Sequence, residues 1–117
     1  MATNTTKEIY EVHVRKIEED LVEWTGLITE LSDKERKLFS LRDKYQAKSE
    51  EIIETTDFKA IYGRNNAETR KNHIRQELSS DYNNIKELEF HIDWINRRII
   101  FLKELIRTKR TLLEVKE

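Results

Sequence analysis

At 117 residues, with no cysteine, no proline and two glycines, the chain reads as a single domain over 1–117 in which disulfides and thiolate metal sites are excluded. Charged residues make up 38% and aromatics 9%, a balance that suits a long charged helical rod better than a compact mixed fold. The net charge of −1 gives no overall pull toward nucleic acid or membrane, and no apolar run approaches the about 20 residues that a bilayer span needs.

The first predicted element is a helix over about 5–54, opened by Thr5 and Glu8 at capping-box spacing. Its apolar stripe is Tyr10, Val14, Ile17, Leu21, Trp24, Ile28, Leu31, Leu38, Tyr45 and Ile52. Alternating steps of four and three keep those residues on one side of a slightly underwound helix. Glu35, Arg42 and Ser49 fall at seam positions as polar residues. Residues 32–37 contain nothing apolar, and Ser32 with Glu35 repeats the capping-box spacing, which would permit a break after Leu31. The heptad phase is the same on both sides, so one continuous helix is expected. Gly26 inside it costs about 1 kcal/mol relative to alanine.

A connector follows over about 55–66. Asp57 is placed to cap a short turn from Phe58 to Tyr62, and Gly63 suits a left-handed residue ending that turn. Phe58, Ile61 and Tyr62 are expected to plug the end of the hairpin. Asn65 with Glu68 supplies the start signal for a second helix over about 66–115. Its stripe is Ile74, Leu78, Ile85, Leu88, Ile92, Ile95, Ile99, Leu102, Ile106 and Leu113, with Asp81 the one acid at a seam position.

Two matched helices on a short connector must fold back, so the expected fold is an all-α, antiparallel two-helix coiled-coil hairpin. Charge favours the same pairing: residues 7–31 hold three basic and seven acidic side chains, residues 97–117 seven basic and three acidic. A two-helix hairpin buries one stripe per helix and is seldom a sufficient core. Trp94, Phe101, Leu105 and Leu112 widen the apolar face toward the end where the termini meet. With Trp24 of the stripe they are the expected core and dimer packing residues of a homodimer forming a four-helix bundle.

Chemistry finds little purchase. His13, His73 and His91 have no two-ligand helical spacing, and no phosphate-cradling glycine loop or activated nucleophile is recognisable. The expectation is a protein with no catalytic residues, no metal and no cofactor. Basic residues do gather at the connector. Lys59, Arg64, Arg70, Lys71 and Arg75, with Phe58 and Tyr62, could grip an acidic protein surface or a phosphate backbone. The second basic stretch, Arg97 to Arg110, is read as facing the acidic start of helix one.

The connector, Tyr62-Gly63-Arg64-Asn65-Asn66-Ala67-Glu68-Thr69-Arg70, resembles the loop of small phage and prophage helical-hairpin proteins. In those a glycine, an asparagine two residues on and an arginine opening the second helix recur; Gly63, Asn65 and Arg70 stand in those places. The resemblance implies phage origin, expression in the bacterial cytoplasm, and action by binding a host or phage protein. Such a protein would inhibit a host defence or assist phage replication or recombination. The family carries no assigned activity, so no catalytic residues are implied. The leading expectation is thus a non-enzymatic protein-interaction module. A nucleic-acid-binding protein using the basic tip and a structural scaffold or spacer are the alternatives.

Overall fold

The computed structural model describes residues 2–115, with side chains from 7 to 114. The protein is an all-α helical hairpin: α1 spans Ala2–Thr55, α2 Phe58–Tyr62, α3 Ala67–Glu77 and α4 Ser79–Val115. Two compact units divide it. One is formed by the span up to Asp33 with the span from Ile92 onward, the other by Lys34–His91. Helix α1 already begins at Ala2, three residues before the expected start. The Thr5 side chain of the proposed capping box lies outside the described side chains. Through residues 32–37 the helix is unbroken, as the constant heptad phase predicts.

In the first unit Ile95 and Leu102 are fully buried and form a core with Leu27. Trp24, Leu31, Ile99 and Leu105 pack against it. Salt bridges from Asp20 to Lys109 and from Glu23 to Arg98 pair falling α1 numbers with rising α4 numbers, so the helices are antiparallel. These are two of the contacts anticipated between the acidic start and the basic end. Arg98 grips Glu23 with two nitrogens, Nε to Oε1 at 2.9 Å and Nη2 to Oε2 at 3.2 Å. That hydrogen bond raises the guanidinium pKa above its ordinary value. Two seam assignments are corrected here: Tyr10, near the start of α1, is 44% exposed and stands outside the packed seam. Ile28 is 41% exposed, whereas the adjacent Leu27 is 9% exposed and takes the core position. A straight helix drifts against a strict seven-residue repeat, and either of two adjacent apolar residues can fill the slot.

The second unit shows the same drift. Ser49 is buried as expected, its hydroxyl returned to the Tyr45 carbonyl at 2.6 Å. Glu35 and Arg42 are exposed, and the inward positions beside them belong to half-buried Lys34 and Leu41. Arg42 reaches Glu89 and Lys48 reaches Asp81, again in antiparallel order. Leu38, Ile74, Ile85 and Leu88 are buried. The second long helix is not continuous: it is interrupted at Leu78, whose backbone (φ −108°, ψ 32°) separates α3 from α4. Ser79, Ser80 and Asp81 follow at once, residue types whose side chains compete for backbone hydrogen bonds. The ladder still passes through, with the Leu78 N–H on the Ile74 carbonyl and the Tyr82 N–H on the Leu78 carbonyl, both at 2.8 Å.

Around the connector the short α2 is capped by Asp57, whose carboxylate accepts from the Ala60 N–H at 3.1 Å. Gly63 closes it in the left-handed region at φ 72° and donates to the Lys59 carbonyl at 2.9 Å. The cap of α3 is Asn66, not Asn65: Asn66 Oδ1 accepts from the Thr69 N–H at 2.8 Å. Its neighbour Asn65 receives the Arg70 guanidinium instead. Phe58, only 1% exposed, plugs this end, while Ile61 is 60% exposed and does not.

Candidate interaction site near the connector

The tip is held by three rings. The edge of His73 meets Phe58 at 5.2 Å and Tyr62 at 5.6 Å between centroids, and Phe58 and Tyr62 stack at 6.4 Å. The Tyr62 hydroxyl and His73 Nδ1 share a hydrogen bond of 2.6 Å, and Nε2 of the same ring lies 3.8 Å from Glu77. These contacts tie α2 to α3 across the Gly63 bend. Phe58 is therefore interior and offers a partner nothing.

Of the tip residues read from sequence, the structure gathers three. Arg70, Lys71 and Arg75 line one groove of about 380 Å³ together with Tyr45, Gln46, Ser49, Ile53, Ala67, Ile74 and Tyr82. Lys59, Tyr62 and Arg64 are exposed but lie outside that lining. Within the groove the cations play different parts. Arg70 braces the loop through Asn65, with Nη1 on Oδ1 at 2.7 Å and on the carbonyl at 3.3 Å. Arg75 lies over the Tyr82 ring, 4.7 Å from its centroid, and Lys86 also reaches that ring at 5.4 Å. Lys71 makes no ion pair among the described residues and is exposed, leaving its charge open to a ligand.

Tyr45 and Tyr82, whose ring centroids stand 6.4 Å apart, supply much of the groove's apolar wall. In the sequence Tyr45 falls on the seam stripe and Tyr82 outside it. The usable signal was the spacing of Arg75, Tyr82 and Lys86, at steps of seven and four along one helix side. Nearby, the Arg42 guanidinium, aided by Lys86, holds the Glu89 carboxyl below its ordinary value, against a smaller opposing push from burial.

The residues expected to pack a dimer separate into two sets. Trp24 and Leu105 belong to the first unit's core, whereas Trp94, Phe101 and Leu112 are exposed on α4. The Trp24 indole Nε1 is buried without a hydrogen-bond partner. Among the described residues no group of three His, Asp or Glu side chains could hold a metal ion, and no helix is long and apolar enough to cross a membrane. Comparison with known protein families, with curated proteins and with solved structures finds no match to this chain.

Proposed function

We propose that this protein is a non-enzymatic interaction module, homodimeric, that binds a second kind of protein through the groove beside its connector. The observation that carries the reading is the composition of that groove. Tyr45, Ile53, Ile74 and Tyr82 give an apolar wall, and Lys71 and Arg75 put positive charge on its edge. Apolar area with a charged border is how protein interfaces are built, the apolar part supplying affinity and the border choosing the partner. The preferred partner is an acidic protein surface with an apolar anchor. The connector's resemblance to phage hairpins directs the search to host or phage proteins of the bacterial cytoplasm.

Nucleic acid is the weaker reading. A strand-binding groove needs open ring faces for bases to stack on, and Arg75 and Lys86 are already drawn up to Tyr82. The test is affinity capture from a bacterial lysate with the wild type and with Lys71→Glu/Arg75→Glu, whose reversed charges leave the buried seam untouched. The reading expects a defined protein captured by the wild type and lost with the variant. An identical set of proteins from both would overturn it. A gel shift at about 50 mM salt whose affinity falls steeply with added salt would move the assignment to nucleic acid.

A further inference from the structure

The first unit carries a second groove, of about 500 Å³, with Leu21, Trp24 and Ile106 as its apolar floor and Lys103, Arg107 and Arg110 on its rim. One acid, Glu114, sits at its edge. Unlike Arg98 and Lys109, which are spent on Glu23 and Asp20, these three cations make no ion pair among the described residues. Beside the groove is a smaller hollow of about 250 Å³, with Tyr10 and Val14 as its apolar part, Glu11 and Glu18 as its acids and Arg15 as its one base. Neither acid makes an ion pair among the described residues.

The two hollows lie along one side of α1, because Tyr10, Val14, Glu18 and Leu21 are spaced four, four and three residues apart. One is apolar with a net charge of +2 from its named side chains, and the other is apolar with a net charge of −1. A surface with both, side by side, is complementary to itself under a twofold axis. Each copy's acidic hollow meets the other's basic groove, and the contact is made twice. We infer that a second copy of this chain occupies the basic groove, seating its own Tyr10–Glu18 stretch over Trp24 between Lys103, Arg107 and Arg110. This rests on the homodimeric part of the proposed function and names the surface that makes the dimer. The twofold doubles the area buried, which a stable interface of about 1,200–2,000 Å² requires.

Charge exchange between copies tests this. One variant reverses the rim (Lys103→Glu/Arg107→Glu/Arg110→Glu) and another the acidic hollow (Glu11→Lys/Glu18→Lys). All five positions are exposed, and circular dichroism verifies that each variant is helical. In sedimentation velocity at about 50 μM, where mass action favours association, the wild type is expected to be a dimer and each variant alone a monomer. Each dissociation constant should rise by at least about 100-fold, since like charges now face each other. An equimolar mixture of the two variants should restore a dimer, because one copy then carries only acidic faces and the other only basic ones. A monomeric wild type would overturn the homodimer and this interface together. Variants that remain dimeric, or a mixture that stays monomeric, would overturn the interface alone. A dimer abolished only by Trp94→Ser/Phe101→Ser would do the same and transfer it to the exposed stripe of α4.

Discussion

The two units use the same helical seam but hold it closed by different means. In the first, Ile95 and Leu102 are sealed from solvent, and Lys109 and Asp20 meet at 2.6 Å with side chains only 18% and 16% exposed. In the second, Ser49 and Thr69 join the buried set, the ion pairs stand in solvent, and three rings at the connector carry the closure. The difference follows from the chain reversing direction in only one of them. A reversal exposes backbone donors and acceptors that caps must satisfy, so Asp57, Gly63 and Asn66 do there what aliphatic packing does between uninterrupted helices.

The sharpest way to break that contrast is to empty each centre. Ile95→Ala should cost about 2–5 kcal/mol and Phe58→Ala about 3–5 kcal/mol in chemical denaturation. Amide exchange should separate them, with Phe58→Ala loosening α2 and α3 and Ile95→Ala loosening α4 around the substitution. If both variants loosen the same amides, the two closures are one. Removing charge comes next. Asp20→Ala should cost about 1–3 kcal/mol, because a partly desolvated ammonium loses its partner, whereas Lys48→Ala, from an exposed pair, should cost less than about 1 kcal/mol. Added salt should change the stability of the wild type little through the first pair and more through the second.

The glycines sharpen the contrast with opposite signs. Gly63→Ala forces a side chain into the left-handed region and should lose about 1–2 kcal/mol. Gly26→Ala places a methyl in open space within α1 and should gain about 1 kcal/mol. The smallest effect is in pH. Glu89 titrates below 4.5 in the folded chain, so its contribution is present above that value and fades as pH falls through the folded one. Urea midpoints followed into acid should decline slightly less steeply in Arg42→Ala than in the wild type.

Much of the fold could be read from residues alone, and several of the misses share a cause. Every stripe position assigned from Ile74 to Leu113 is buried or half-buried, and where two apolar residues adjoin in that arm, as Phe101 and Leu102 do, the heptad phase picks the inner one. In α1, Leu27 stands beside Ile28 and Leu41 beside Arg42, and a period of 3.5 against 3.6 cannot choose between adjacent slots. The two asparagines at 65 and 66 posed the same ambiguity, decided only when one side chain reached the Thr69 N–H. The groove was harder to see. Arg70, Lys71 and Arg75 were visible as charge, but Tyr45 and Tyr82 are 37 positions apart and meet only once the hairpin closes. The basic groove over Trp24 was hidden for a like reason: Leu21 joins Ile106 across two arms.

The bend from Gly63 to Asn66 has a practical consequence. It is an exposed stretch outside any helix, and it contains Arg64, so limited trypsin digestion should cleave there ahead of the helical lysines and arginines. The single nick would leave two pieces of comparable length, one with all of α1 and one with α3 and α4. Since seam and ion pairs join α1 to α4 directly, the pieces should stay together through gel filtration and come apart only in denaturant. The molecule could thus be supplied as separately expressed halves, each silent until it meets the other.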